Sequence, residues 1–223
     1  IIGSSDPLFP GIAPGVNFIV FDVFDDDTKE DDGGTRDWFF DPVLEWVVEN
    51  AEKYNIVAVN MSLGGPDRLT GKAFTKAQYK SIYESLENVG VAVVVASGNS
   101  FWSNNDLTKS FDSFQGIMSP AIYSDSFSVG AVWADYNNIR SYESGSPGKI
   151  WSDTNRHPTL LDIFAPGANI DSAKDGTTGA ISESGTSMAA PIISGVVVLA
   201  QEIADTYLGR RLGVDELKNL IKN

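Results

Sequence analysis

The stretch that most limits what this chain can become is Val91–Ala96, VAVVVA. An uninterrupted run of valine and alanine leaves neither face of a strand suited to water. Such a strand needs cover on both faces, and that cover comes from helices flanking a parallel sheet. The surroundings agree. Ile56–Ser62, IVAVNMS, reads as an earlier strand, ended by Gly64 and Gly65. Between the two strands, Thr75 and Gln78 form a capping box for a helix that buries Tyr79, Ile82, Tyr83 and Leu86. Farther upstream, Asn17–Phe24, NFIVFDVF, reads as a buried strand after Gly15. A helix opens near Asp41 as N-cap, with Pro42 at its first position. Its shared face holds Phe40, Val43, Val47, Ala51 and Tyr54. Strand, helix, strand, helix, strand is the order of a parallel sheet. The expected fold class is therefore α/β, with a mostly parallel central sheet flanked by helices in three layers.

The remaining chain extends this plan. Phe127–Trp133 and Leu161–Phe164 read as further strands, and the polar stretch Asn137–Thr159 between them as surface loop. Pro191–Tyr207 reads as a long helix with an apolar stripe of Ile192, Val196, Leu199, Ile203 and Tyr207. A short last helix carries Leu217, Leu220 and Ile221. The uncharged run Ile192 to Gln201 is too short to cross a bilayer, so no membrane span is expected. No repeat or linker divides the chain, and residues 1–223 are expected to belong to a single domain.

The net charge is −14, from 30 acidic and 16 basic residues. With no basic stripe to neutralise phosphates, a nucleic-acid partner is not expected. The acidic balance suits calcium binding and a secreted or cell-surface setting. The run Asp25, Asp26, Asp27, Glu30, Asp31 and Asp32 is the candidate for a hard cation, with a solvated loop as the alternative. The absence of cysteine removes thiol catalysis and thiolate metal sites, and the single histidine, His157, removes a His-rich one.

Three stretches could carry chemistry, each beside a glycine where a strand or loop ends. Gly185-Thr186-Ser187-Met188-Ala189-Ala190-Pro191 sets a serine at the start of the long helix. A helix N-terminus offers free N–H groups and a field that favours developing negative charge. The plain alternative is a serine or threonine that caps the helix. Ala96-Ser97-Gly98-Asn99-Ser100 follows the VAVVVA strand and offers Asn99 as an oxyanion donor, or as a turn asparagine. Met61-Ser62-Leu63-Gly64-Gly65 leaves backbone open for an extended peptide to pair with, or merely ends a strand.

Together, and in this order, these stretches resemble the subtilisin family of serine peptidases. GTSMAAP resembles the block around the family's nucleophile, ASGN the oxyanion block, and Leu63-Gly64 within NMSLGG the substrate-binding strand. Phe164-Ala165-Pro166-Gly167 resembles the family's APG turn, and Gly11-Ile12-Ala13-Pro14-Gly15 the segment before its second core strand. The resemblance implies Ser187 as nucleophile, with Asn99 and the Ser187 backbone N–H as oxyanion donors. It implies Ser62, Leu63 and Gly64 as one wall of the pocket for the P1 side chain. Ala96, Ser97 and Gly98 would form the other wall, and Ser119, with Pro120 and Ala121, the base. Small side chains on both walls imply room for a medium or large apolar P1 residue. Structural calcium is implied as well.

The family's aspartate and its HGT-type histidine block have no counterpart in these residues. Ile1-Ile2-Gly3 resembles the tail of the histidine helix, so residues 1–223 are expected to be the C-terminal part of the peptidase domain. An N-terminal segment of the same peptidase is the implied partner that carries Asp and His. His157 stands in a polar loop thirty residues before Ser187 and matches no family position. Asp22 follows the wrong strand to orient a histidine. The implied activity is serine endopeptidase. The rivals are an inactive relative that acts as a binding or scaffolding protein, and an unrelated esterase, which would need G-x-S-x-G and a later histidine.

Overall fold

In the computed structural model, residues 10–24, 37–65, 77–101, 115–123, 125–134, 146–174, 176–177 and 179–222 are described. The elements are α1 (Asp37–Asn50), β1 (Ala58–Met61), α2 (Ala77–Asn88), β2 (Ala92–Ala96), β3 (Ser126–Trp133) and β4 (Ile163–Ala168). They continue with β5 (Ile170–Ala173), β6 (Ala180–Glu183), α3 (Thr186–Leu208) and α4 (Val214–Lys222). Strands β1-β2-β3-β4 form one sheet in that order, with every neighbouring pair parallel. Helices cover both faces, so the three-layer α/β fold is as expected.

VAVVVA shows why. Val91, Val93 and Val95 pack with Leu44 and Val47 of α1 and with Tyr83 and Leu86 of α2. Ala92, Val94 and Ala96 pack with Ala189, Ile193 and Val197 of α3 and with Leu217 of α4. All five residues of β2 are buried. The period-two alternation of a strand thus feeds two separate cores.

Several local expectations change. Asn17–Phe24 is not a strand: Phe18, Ile19, Val20 and Phe24 are exposed, at 48 to 76%. A strand is buried only when another strand pairs with it and a layer covers it, and no described strand lies alongside. The stripe Leu199, Ile203 and Tyr207, read as the core face of α3, points outward. The buried face is instead Ala189, Ala190, Ile193, Ser194, Val197, Gln201 and Ala204. Small residues let the helix lie close on the sheet. At Gly195, an added Cβ would come 2.7 Å from the Ile12 Cβ, so residues 12–13 also pack tightly there. In α4, Leu217 is buried but Leu220 is exposed. In α1, Leu44 takes a core place that the expected face omitted, Val43 is half-buried, and Tyr54 lies exposed beyond the helix, stacked on Trp46 at 5.6 Å.

Helix α1 opens at Asp37, so Pro42 lies inside it rather than at its first position. Its missing N–H reaches back only to the opening turn, which makes this a mild interruption. Thr75 lies outside the described residues, as do the side chains of Gln78 and Tyr79. Phe164–Gly167 is not a turn but part of β4. Pro166 fits because β4 is at the sheet edge. Helix α3 is 23 residues long, and by length and composition it would suffice to cross a membrane. Yet it packs against all four strands of the sheet, as a core helix does.

Candidate functional site

The site forms where the chain leaves β1 and β2 and where α3 begins. Two contacts fix the start of α3. The Gly185 N–H donates to the Gly167 carbonyl at 2.7 Å, and the Asn169 N–H to Ser184 Oγ at 2.9 Å. A Cβ on Gly167 would sit 2.8 Å from the Gly185 carbonyl oxygen and 2.9 Å from the Ala189 Cβ. Glycine is needed there so that the helix can rest on β4.

The N-cap of α3 is Gly185, which has no side chain to cap the helix. Ser187 is therefore not a capping serine. Among the described residues its hydroxyl makes only a long 3.4 Å contact to the Ser62 carbonyl oxygen, and it is half-buried. Beneath it runs a polar chain. Ser194 Oγ donates to Asn60 Oδ1 at 3.0 Å, Asn60 Nδ2 to Ser62 Oγ at 3.0 Å, and Ser62 Oγ to the Ser187 carbonyl at 2.8 Å. These bonds tie the end of β1 to the first two turns of α3, across 125 residues of sequence.

Asn99 stands on the other side. Its Oδ1 accepts from the Thr186 N–H at 2.9 Å and from Thr186 Oγ1 at 2.8 Å. Thr186 Oγ1 in turn accepts from the Gly98 N–H at 3.1 Å. A backbone N–H can only donate, so the oxygen of the Asn99 amide is assigned and its NH2 faces away. That NH2 borders Gly185: a Cβ there would lie 3.1 Å from Nδ2. Ser187 and Asn99 thus flank the same helix start, with Thr186 locking them together.

The loop after β2 is clamped by a residue that the sequence reading placed in a surface loop. Asn155 is fully buried. Its N–H donates to the Gly98 carbonyl at 2.8 Å, its carbonyl accepts from Ser97 Oγ at 2.8 Å, and its Oδ1 accepts from the Ser100 N–H at 2.9 Å. Thr154 is also buried, and its Oγ1 accepts from the Ala131 N–H at 2.8 Å. Backbone groups satisfy most of these buried polar atoms, but Asn155 Nδ2 has no partner among the described residues.

The two stretches read as pocket walls do face a common base. The Met118 N–H donates to the Ser97 carbonyl at 3.0 Å, and the Gly65 N–H to the Ser119 carbonyl at 2.9 Å. Met118 and Ser119 therefore bridge residues 97–98 and 64–65. Ala96 is buried at the end of β2, Leu63 is half-buried and Ser62 exposed. The room expected between the walls is not empty. A Cβ on Gly98, which has φ of +104°, would overlap Met118 Sδ and Asn155 Nδ2, and one on Gly64 would lie 3.3 Å from Met118 Cβ. Nothing in the local sequence marks Met118 or Asn155; only the folding of residues 115–119 and 153–156 against the β2 loop brings them here.

His157 stays out of this arrangement. Its Nδ1 accepts within its own turn from the Thr159 N–H at 3.3 Å. Asp22 is exposed and likewise serves its own turn, accepting from the Phe24 N–H at 3.2 Å. Among the described residues, no three carboxylate or histidine groups converge to hold a metal. The acidic run 25–32 lies outside them.

The family model of the subtilase family, Peptidase S8, matches residues 1–223. The chain belongs to the subtilase family. Subtilisin E of Bacillus subtilis (strain 168) is 29% identical over 190 residues, covering 85% of this chain and 40% of that protein. Alkaline protease 1 of Aspergillus flavus is 37% identical over 142 residues, covering 63% of this chain and 27% of that protein. This subtilase chain spans less than half the length of these curated relatives. Among solved structures, the prenylagaramide maturation protease PagA superposes with a TM-score of 0.70 at 23% identity, covering 98% of this chain and 67% of that one. A cold-adapted subtilisin-like serine proteinase superposes with a TM-score of 0.58 at 24% identity, covering 86% and 55%. The fold and family are subtilisin-like, and among the described residues no Asp and His join Ser187 to complete a triad.

Proposed function

We propose that this chain is the nucleophile-bearing, C-terminal part of a serine endopeptidase domain, with Ser187 as nucleophile. The supporting observation is the start of α3, where the Ser187 hydroxyl has no strong partner among the described residues while Thr186 orients the Asn99 amide beside it. In this reading Ser187 Oγ attacks the scissile carbonyl, and a histidine supplied by another segment takes its proton. The Asn99 NH2 and the Ser187 N–H stabilise the oxyanion. The histidine then protonates the leaving amine, and water releases the acyl group. In subtilisin itself, losing one such side-chain donor costs about 3–4 kcal/mol in the transition state.

The substrate would be an extended peptide paired along Ser62, Leu63 and Gly64, with its P1 side chain between that wall and Ala96, Ser97 and Gly98, over Ser119. The segment carrying Asp and His would cover the exposed Phe18, Ile19, Val20 and Phe24 and the edge of β1 that no described strand pairs. A secreted or cell-surface setting accords with the net charge of −14. Calcium, as a structural ion, rests on the family resemblance and the acidic run 25–32 and enters no step of the chemistry.

A fluorophosphonate probe applied to the protein as isolated from its source tests the reading. Labelling of Ser187, lost in Ser187→Ala, is the expected result. The second reading, an inactive relative that binds or scaffolds, is favoured by the absence of any described histidine or aspartate at Ser187. It is established if Ser187 stays unlabelled while intact mass measurement shows an HGT-containing segment in the same preparation.

A further inference from the structure

The pocket between the two proposed walls has a third party in it. Its base is the Met118-Ser119 backbone, bonded to Ser97 on one side and to Gly65 on the other. From that base the Met118 side chain stands up between the walls. Its thioether lies against the bare face of Gly98, in the space a Cβ would take, with Met118 Cγ 2.6 Å from that same position. Toward the other wall, a Cβ on Gly64 would come 3.3 Å from Met118 Cβ and 3.8 Å from Sδ. One methionine thus occupies the side-chain position of Gly98 and borders that of Gly64. Gly98 thus does not open the slot for a substrate: its missing side chain makes room for Met118, which also narrows the space beside Gly64.

We propose that Met118 plugs this pocket and restricts the peptidase to small P1 residues, of the size of glycine, alanine or serine. This rests on the peptidase reading above and replaces the expectation of a medium or large apolar P1. A small side chain seats on top of the thioether and keeps its own contacts. A leucine or phenylalanine side chain has to push the thioether aside, into walls already packed against it. Methionine bends more readily than a branched residue, so the barrier is graded rather than absolute. Pocket contacts of this kind discriminate by about 10–200-fold per methylene-sized mismatch.

The test uses the protein as isolated from its source and peptides that differ only at P1. Alanine should exceed phenylalanine in kcat/KM by about 10²-fold. Met118→Gly should erase or invert that ratio, and Met118→Leu, of similar volume, should keep it. Met118→Ala, checked by thermal melting, serves if the glycine variant fails to fold. The same peptides, dye-labelled, are titrated against Ser187→Ala with and without the Met118 change. Cleavage with phenylalanine at P1 as fast as with alanine overturns the plug while leaving the peptidase reading intact. Failure to cleave any peptide, with P1-dependent binding that still shifts on changing Met118, removes the peptidase reading and leaves the plug. Binding that is blind to P1 in both backgrounds overturns the plug as well.

Discussion

VAVVVA at 91–96 and FIVFDVF at 18–24 are both runs of β-branched and aromatic residues, and they end up in opposite surroundings. The first pairs with strands on both sides, and all five residues of β2 are buried under helices on both faces. The second pairs with no described strand and exposes Val20 at 76%. Composition is close; the difference is the neighbours. The same contrast divides the site. The wall after β2 is held by Asn155, Thr186 and Met118, all reaching it from distant parts of the chain. The wall after β1 is exposed at Ser62 and rests on the few bonds between Asn60, Ser62 and α3. The covered half is thereby expected to carry the stability, and the open half to be where further polypeptide can add.

The largest effect that separates the halves comes from Phe127→Ala against Phe18→Ala. Phe127 is fully buried and Phe18 is 58% exposed. Phe127→Ala should cost about 3–5 kcal/mol in denaturant unfolding, and Phe18→Ala should stay within about 0.5 kcal/mol. A large cost at Phe18 in the isolated chain would break the comparison. Next comes the clamp. Asn155→Ala leaves the Ser100 N–H without its acceptor and should cost about 1–3 kcal/mol. Ser62→Ala on the open wall should cost about 0.5–1.5 kcal/mol, measured in the same way.

Acid–base behaviour sharpens the contrast at smaller scale. Burial raises the Asp153 pKa above the ordinary carboxylate value. The folded state therefore binds its proton more tightly than the unfolded one. Stability is lost as pH rises from the ordinary carboxylate value through the raised one. Asp153→Asn should accordingly raise the thermal midpoint at neutral pH and change little in strong acid. The smallest effect belongs to the exposed Arg210–Glu216 pair, 2.8 Å apart. The Arg210 guanidinium, together with the Gly213 N–H, lowers the Glu216 pKa to about 2. Its contribution is present above the ordinary carboxylate value near 4.5 and fades as pH falls toward 2. Glu216→Gln should remove that slope, and salt should shrink it.

The amino-acid sequence by itself determined the sheet and its helices, because VAVVVA and IVAVNMS carry the period and the apolar content that such strands require. It also determined the family, since the order of NMSLGG, ASGN and GTSMAAP is set along the chain. It could not say which apolar face of α3 would be buried. Small residues such as Ala189, Ala190 and Gly195 won over the larger stripe of Leu199, Ile203 and Tyr207 because close approach to the sheet favours low volume. Nor could it say that Asn155 would hold the loop after β2, or that Met118 would fill the slot between Gly64 and Gly98. Those are contacts between residues far apart in sequence, and only the packed chain decides which groups share a space.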